Sequence, residues 1–360
     1  MEKAATRMYE YITETPKTLE QIIANRKEIT AEIVKKYKEI NIEQIYIIGS
    51  GTSYHSGLAA KAFLEEVLDM KVFVQYPIIF KNQEKVFNKN TLVIGISQGG
   101  QSYSTVHGLD SAKEKGLYTA SISANEEARV FEHSDVSVNL SVGDEFCGAK
   151  TKGYSGTICT LMMIGLELSL AKGTITLEKA GEYLSRMHKV IQNLSYITES
   201  ATEWYHRINE SFISTKRVMV IGYDINYANA LEGALKILET VRQGVSGYEL
   251  EEFIHGIYNS VKPDSHIFYI GSRGEYKSRA LKLRETLSEM TLNNYFIGSS
   301  EGFENPSKND LVVDFVDDCY FSVWEYIIPL QVVAALAPIE LGINPDIPAD
   351  PKFHQKMGSK

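Results

Sequence analysis

The stretch LVIGISQGGQS, residues 92–102, decides the fold because an apolar run passes directly into a small polar turn. The apolar run ends at Ser97, and hydroxyls, amides and glycines follow without a charge. A short, continuous apolar run is typical of a strand in a parallel sheet, which helices cover on both faces. The polar turn then lies at the carboxyl edge of the sheet, where open α/β folds bind their ligands.

Strands and helices alternate around this stretch, which predicts right-handed βαβ units. Helical spacing in residues 54–68 follows a first strand, QIYIIGSG (44–51). The further predicted strands are KVFVQY, TLVIGIS, YTASISA and SDVSVNLS, with a helix over TVHGLDSAKEKG. Residues 3–40 also have helical spacing, and we expect Pro16 to break it.

The second half of the chain repeats the first at an offset of 173–175 residues. RVMVIGYD aligns with QIYIIGSG, HIFYIGSRGE with TLVIGISQGG, NYFIGSSE with TASISANE, and NDLVVDFVD with SDVSVNLSV. This register predicts an α/β protein with two copies of a parallel sheet flanked by helices, a flavodoxin-like three-layer sandwich. The predicted segments are a helical start (1–40), domain 1 (41–170), a helical linker (171–212), domain 2 (213–341) and a tail (342–360).

Composition excludes several functional classes. The chain has 360 residues, 44% of them hydrophobic and 23% charged, which is enough for two domains with buried cores. A net charge of −9 without a basic run argues against nucleic acid or a membrane surface as partner. The N-terminus lacks a signal-peptide core, and the apolar stretch 158–170 is predicted to be too short to span a bilayer. Cys147, Cys159 and Cys319 have neither disulfide-framework nor zinc spacing, so we expect a cytoplasmic protein without a metal.

Two polar turns follow neighbouring predicted strands. Their residues of interest are Gly51, Thr52, Ser53, Ser97, Gln98 and Ser102. Hydroxyl and N–H donors at helix N-termini, without a lysine, suit a phosphate monoester. The alternative is that the serines and threonine only cap helices. Two such turns side by side favour a phosphate site, whereas GSGTSY lacks the third glycine of a dinucleotide fingerprint and no P-loop motif occurs.

One helical stretch, ALEGALKILETV, carries a possible acid–base group. Glu232, Lys236 and Glu239 are spaced i, i+4 and i+7, so they share one helix face. A carboxylate beside a lysine can remove a carbon-bound proton while the cation stabilises the charge that develops. The alternative is an ordinary salt bridge on a solvated helix. His255, in EEFIHGIYNS, is by itself compatible with a plain surface histidine.

Five motifs resemble the sugar isomerase (SIS) family: GSGTSYHSG, ISQGGQS, DEFCGAKTKGYS, LEGALKILE and EFIHG. They are most similar to the double-SIS isomerase portion of glutamine–fructose-6-phosphate amidotransferase, over almost the whole chain. The resemblance implies a sugar 6-phosphate site formed by Ser53, Ser97, Gln98 and Ser102, with Gly51 and Thr52 beside them. It also implies catalytic roles: C1–C2 proton transfer by Glu239, assistance by Lys236, ring opening by His255 and closure over the sugar by Lys356.

The chain departs from the amidotransferase in ways that bear on its substrate. It opens without a glutaminase module, so we expect that it does not take ammonia from glutamine. Gly99 stands where the synthase has a serine, and Lys150 stands where it has a small hydroxyl residue, near the expected C1–C2 end of the sugar. We therefore count Lys150 among the predicted substrate-binding residues. Glu232, on the helix face of Lys236 and Glu239, is counted with it.

Relatives with this layout process amino sugar phosphates, which gives the leading hypothesis. It is a deglycase of a ketosamine 6-phosphate, of the fructoselysine or glucoselysine 6-phosphate type, which releases an amine and a hexose 6-phosphate without a cofactor. The alternatives are a glucosamine-6-phosphate deaminase and a non-catalytic sugar-phosphate-binding regulator. The amine and the sugar epimer are not encoded in any motif.

The resemblance also implies a homodimer or higher homo-oligomer. Family members place the histidine of one subunit in the site of another, which would make His255 a residue of its neighbour's site. The apolar stretch 320–342 is predicted to be a helix, and it could pack at such an interface or within its own domain.

Overall fold

The computed structural model describes residues 6–359. Its helices are α1 (Arg7–Ala24), α2 (Arg26–Ile29), α3 (Ala31–Tyr37), α4 (Thr52–Leu68), α5 (Pro77–Gln83), α6 (Tyr103–Glu114), α7 (Arg129–Glu132), α8 (Lys152–Lys172), α9 (Leu177–Phe212), α10 (Tyr227–Val241), α11 (Leu250–Ile254), α12 (Lys277–Leu287), α13 (Val323–Tyr326), α14 (Ile328–Glu340) and α15 (Phe353–Lys356). Its strands are β1 (Gln44–Ile48), β2 (Lys71–Gln75), β3 (Thr91–Ile96), β4 (Tyr118–Ser123), β5 (Val136–Asn139), β6 (Arg217–Gly222), β7 (Gly244–Glu249), β8 (Ser265–Gly271), β9 (Asn294–Gly298) and β10 (Leu311–Val312).

The strands form two parallel five-stranded sheets of the same topology. The order is β2-β1-β3-β4-β5 in the first sheet and β7-β6-β8-β9-β10 in the second, and every neighbouring pair is parallel. The strand order 2-1-3-4-5 occurs twice, once in each half of the sequence. The predicted α/β fold with two tandem copies of a flavodoxin-like sheet is therefore confirmed.

The chain divides into two compact units, each built around one sheet. The first-sheet unit contains residues 17–145, residues 152–185 and the chain from Ala349 onward. The second-sheet unit contains the described chain up to Pro16, residues 146–151 and residues 186–348. Both units are discontinuous in sequence, whereas the predicted domains are contiguous. The predicted domain boundaries stay a prediction.

The central strands form because most of their residues are apolar on both faces. Every residue of β3 and β8 is buried, as is every residue of β9. Apolar side chains on alternate faces meet the helices that cover the sheet: Val93 packs in a cluster with Val106 and Leu109 of α6. In the second sheet, Ile267 and Tyr269 pack with Leu283 of α12. This two-sided burial leaves the strand ends, rather than the sheet faces, as the places where polar groups gather.

The expectation that Pro16 breaks the first helix is wrong. Helix α1 runs continuously over 18 residues with Pro16 inside it. A proline removes one backbone hydrogen bond and crowds the preceding turn, at a cost of about 3 kcal/mol. The apolar stripe of this helix, which includes the fully buried Met8, Ile12, Leu19 and Ile22, offsets that cost by packing.

The apolar stretch 158–170, predicted to be too short to span a membrane, is part of a longer helix. It lies within α8, which has 21 residues because buried small and polar side chains extend the helix toward Lys152. By length and composition, α8 and the helical segment Val323–Glu340 could each cross a membrane, but 83% of each apolar window is buried inside the protein. Glu167 of α8 pairs with Arg26 at 2.8 Å. Both helices therefore have the character of core helices in an α/β fold.

The last strand is shorter than its pattern predicts. NDLVVDFVD, residues 309–317, indicates a full strand, but β10 contains only Leu311 and Val312. The reason is that the Glu325 carboxylate accepts the N–H groups of Val316 and Asp317 at 2.9 and 3.0 Å, in place of a strand partner. Helix formation in 320–342 is confirmed by α13 and α14.

Candidate functional site

The two polar turns of the sequence lie at the carboxyl ends of adjacent strands. Strands β1 and β3 are neighbours, with Ile48 opposite Gly95. Helices α4 and α6 begin soon after these strands, so their N-terminal N–H groups face the same edge of the first sheet. The strand order reverses between β1 and β3, which makes this edge the topological switch point where open α/β sheets bind ligands.

The turn after β1 depends on glycine. Gly51 has φ 56° and is the residue before α4. A Cβ at Gly49 would lie 2.8 Å from Cβ of Ser53, so only glycine allows the helix to start this close to the strand. Thr52 and Ser53, the first two residues of α4, are half-buried. Both residues therefore lie partly exposed at the helix N-terminus.

The turn after β3 is held by its own serines. Ser97 is buried, and its Oγ accepts the N–H of Ser102 at 3.3 Å. The Ser102 hydroxyl caps α6 by accepting the N–H of Thr105 at 3.4 Å. Helix capping, the alternative reading of this pattern, thus describes Ser102, and it does not prevent a ligand from binding to the remaining donors. The phosphate role of Ser97 and Ser102 stays a prediction.

A buried carboxylate lies next to this turn, which the sequence analysis missed. Glu145 is 7% exposed, and its Oε2 accepts the side-chain amide of Gln98 at 2.9 Å. Its carboxylate also accepts the N–H groups of Lys152 and Gly153 at 3.0 and 2.9 Å, at the start of α8. The turn itself has no charged residue, as predicted, but the neighbouring Glu145 carboxylate accepts a hydrogen bond from its Gln98 side chain. The only sequence signal was an acidic residue shortly before a long apolar helix.

The equivalent turns of the second sheet carry acids instead of hydroxyls. Asp224, with φ 49°, follows β6 as Gly51 follows β1, and burial together with Glu275 and Glu249 raises its pKa. After β8, the N–H of Arg273 donates to Asp317 at 2.7 Å, so a carboxylate of the protein already occupies this turn. Burial is also the main cause of the raised pKa of Asp317. Because carboxylates repel a phosphate, these turns are poorer candidates than the uncharged turns of the first sheet, whose phosphate role stays a prediction.

The predicted acid–base group is assembled on α10 in the second-sheet unit. Lys236 Nζ lies 2.7 Å from Glu239 Oε2 and 3.5 Å from Glu232 Oε1. The side chains of Glu232 and Lys236 are 0% and 2% exposed, whereas that of Glu239 is 35% exposed. The arrangement differs from a solvated surface pair, because a buried cation holds one carboxylate that remains accessible. The structure thus brings these three predicted residues together.

The other predicted site residues have separate settings. His255 is exposed after α11, and its Nδ1 lies 2.9 Å from the carbonyl oxygen of Glu251. Because a carbonyl only accepts, Nδ1 is the donor in this contact. Lys356, in the tail, is exposed and lies 2.6 Å from Asp350, which lowers the pKa of that carboxyl group.

Lys150 is half-buried in the segment 146–151 of the second-sheet unit. A backbone hydrogen bond joins this segment to the rest of the unit: the N–H of Gly148 donates to the carbonyl of Asp346 at 3.0 Å. Lys150 therefore belongs to the same unit as Glu239 and His255, whereas the two polar turns, Gln98 and Lys356 belong to the first-sheet unit. Within residues 6–359 no group of three or more His, Cys, Asp or Glu side chains is placed to hold a metal ion.

Residues 40–166 match the family model of the SIS domain. Among solved structures, a candidate phosphosugar isomerase from Clostridium difficile 630 is 36% identical, with a TM-score of 0.91 and 99% of both chains covered. A candidate sugar-binding protein from Salmonella typhimurium LT2 is 32% identical, with a TM-score of 0.81 over 92% of this chain and 99% of that one.

A curated relative is the glutamine–fructose-6-phosphate aminotransferase (isomerizing) of Caldanaerobacter subterraneus subsp. tengcongensis. It is 26% identical over 332 residues, which are 91% of this chain and 53% of that protein. The chain spans about half the length of the curated relatives that it matches along most of its sequence.

Proposed function

Because the chain belongs to the SIS domain family, we propose that it is a phosphosugar-processing enzyme and, more narrowly, a deglycase of a ketosamine 6-phosphate. The observation that carries the proposal is the Lys236–Glu239 pair. A carboxylate that is 35% exposed and held at 2.7 Å by a buried ammonium group has the properties of a positioned general base.

In the proposed reaction, Glu239 takes a proton from C1 of the open-chain ketosamine. The C1–H electrons form an enaminol, and the negative charge that develops on the C2 oxygen is stabilised by Lys236. Return of the proton at C2 gives an imine at C1. Water adds to this imine, the C1–N bond breaks, and the products are a free amine and an aldose 6-phosphate. Proton transfer and hydrolysis need no co-reactant besides water.

His255 and the turns of the first sheet have supporting roles in the proposal. Nδ1 of His255 is engaged with the carbonyl of Glu251, so Nε2 is the ring nitrogen that would accept the ring hydroxyl proton and so open the cyclic sugar. The phosphate is bound by hydroxyl and N–H donors of the turns after β1 and β3, together with the amide of Gln98. Two helix N-termini favour the anion at this edge of the sheet.

A product assay tests the proposed function. The purified protein is given fructosamine 6-phosphates that carry different amino acids and, separately, glucosamine 6-phosphate. We expect a free amino acid and a hexose 6-phosphate from at least one ketosamine. Ammonia and fructose 6-phosphate from glucosamine 6-phosphate alone would replace the deglycase by a deaminase. Tight binding of every compound without turnover would instead support a non-catalytic regulator that binds sugar phosphates.

The phosphate turns give a first prediction. Ser97→Ala and Ser53→Ala each remove a charge-assisted donor, so KM for the phosphorylated substrate should rise by about tenfold or more, corresponding to about 1.5–3 kcal/mol. Steady-state kinetics measure the effect. Ser121→Ala is the control, because the buried hydroxyl of Ser121 on β4 bonds to Ser134 at 2.6 Å. Unchanged KM in both test variants would mean that the turns only cap helices.

The homodimer stays a prediction, and mixed subunits test it. A heterodimer of one Glu239→Gln chain and one His255→Ala chain contains one site with both native groups if the histidine crosses between subunits. About half of the wild-type activity per dimer should then return, although each parent dimer is nearly inactive. Purified heterodimers as inactive as the parents would show that each site uses residues of one chain.

A further inference from the structure

Glu145 gathers three N–H donors from two distant parts of the first-sheet unit. Its Oε1 accepts the N–H of Lys152 at 3.0 Å, and its Oε2 accepts the N–H of Gly153 at 2.9 Å. The third donor is the amide of Gln98, 47 residues earlier in the chain, which reaches Oε2 at 2.9 Å. A carboxylate that is 7% exposed requires such donors, because burial without them is costly.

This contact fixes the Gln98 side chain in one orientation. A carboxylate only accepts hydrogen bonds, so the amide nitrogen of Gln98 faces Glu145, and the amide retains one further N–H. The backbone of Gln98 is fixed as well, since its carbonyl accepts the N–H of Ala124 at 3.0 Å and the hydroxyl of Ser123 at 3.2 Å. Gln98 is therefore held by its main chain and by its side chain at the end of β3.

The residue after Lys152 leaves room for the contact. A Cβ added to Gly153 would lie 1.8 Å from Nε2 of Gln98 and 2.6 Å from Oε2 of Glu145. Gly153 lies inside a helix, where alanine has the better intrinsic propensity. A glycine at this position makes sense if the space is needed for the amide of Gln98.

We infer that Glu145 is a positioning residue for the phosphate turn, which acts by holding the amide of Gln98 toward the start of α8. The inference rests on the proposed function, because that function makes Gln98 a ligand of the substrate phosphate. A held amide binds the anion without first losing the rotational freedom of a long side chain.

A double-mutant cycle tests the inference, with fructose 6-phosphate and inorganic phosphate as calorimetric probes. Gln98→Ala and Glu145→Gln should each raise Kd by about tenfold. Because Glu145 acts through Gln98, the double variant should bind no more weakly than Gln98→Ala alone. Unchanged Kd in Glu145→Gln, or fold-changes that multiply in the double variant, would overturn the inference alone. Failure of the wild-type protein to bind either probe would overturn the proposed phosphate site as well.

Glu325→Gln is the matched control for lost stability. Glu325 is also buried and also accepts three N–H groups, those of Val316 and Asp317 at 2.9 and 3.0 Å and the amide of Asn193 at 2.7 Å. The Glu325→Gln variant should lower the thermal midpoint as Glu145→Gln does, but it should leave Kd for both probes unchanged. An equal rise of Kd in the control would mean that the effect of Glu145→Gln is only a loss of stability.

Gly153→Ala gives an independent variant that keeps the carboxylate. Its methyl group should displace the flexible end of Gln98 and raise Kd for both probes, while the protein stays folded. Gly181→Ala in α9 is the control, because a Cβ there meets no atom within 4 Å. A folded Gly153→Ala protein with wild-type Kd would contradict the positioning role.

Discussion

Glu239→Gln should lower kcat by about 10²–10⁴ and leave KM near its original value. The substitution keeps the shape of the side chain and its contact with Lys236, but an amide cannot take a proton from carbon. Because the substrate is bound by other groups, the loss should fall on the chemical step. Turnover of the best ketosamine 6-phosphate in D₂O measures it, and deuterium at C2 of the released hexose phosphate should disappear together with turnover.

Glu285→Gln is the control for this prediction. Glu285 pairs with Lys282 across an i,i+3 spacing at 2.9 Å, as Glu239 pairs with Lys236. Unlike that pair, both Glu285 and Lys282 have side chains that are at least 70% exposed. The control should keep full activity. If Glu239→Gln melted earlier than the wild type but worked at the normal rate per folded molecule, Glu239 would be a structural partner of Lys236 and not the base.

The sheets could be predicted because their signal is local. β1, β3 and β8 are continuous apolar runs that end in glycine or serine, and the repeat placed the second set of strands from the first. β7 was missed, since GVSGYE has two glycines and no apolar run. A Cβ at Gly247 would lie 2.5 Å from the carbonyl oxygen of Ala230, so this glycine permits α10 to pass close to the strand. Such a close approach is a tertiary requirement that a pattern of apolar residues does not express.

In the candidate site, too, contacts between residues close in sequence could be predicted, and contacts between distant residues could not. Helical spacing alone placed Glu232, Lys236 and Glu239 on one face, and the structure has them in contact. Helical spacing could not give the burial of these side chains, which leaves Glu239 accessible and buries Glu232 and Lys236. The bond from Gln98 to Glu145 joins residues 47 positions apart, so no spacing rule indicates it. The roles of the site residues in binding and catalysis stay predictions for the same reason, because a role depends on a bound substrate.

The second large effect is expected from Lys236→Met, and it concerns stability. The Lys236 side chain is 2% exposed and lies 3.5 Å from a Glu232 carboxylate that is 0% exposed. Methionine fills a similar volume but removes the ammonium group, so Glu232 remains buried without this cation. Breaking a buried ion pair on one side costs about 3–5 kcal/mol. Urea unfolding should therefore show a large drop in the free energy of unfolding, whereas Lys282→Met, in the exposed pair with Glu285, should change it little.

The double variant Glu232→Gln/Lys236→Met separates charge from packing. If the loss in Lys236→Met comes from an uncompensated carboxylate, neutralising Glu232 as well should restore most of the free energy of unfolding, because replacing both members of a buried ion pair by neutral groups is often nearly neutral. Turnover should stay low in the restored protein, since Glu239 still lacks the ammonium group at 2.7 Å that is proposed to stabilise the enaminol charge. A double variant as unstable as the single one would locate the loss in the packing of the lysine stem. Recovery of stability together with normal turnover would show that Lys236 only balances the buried charge of Glu232 and takes no part in the chemistry.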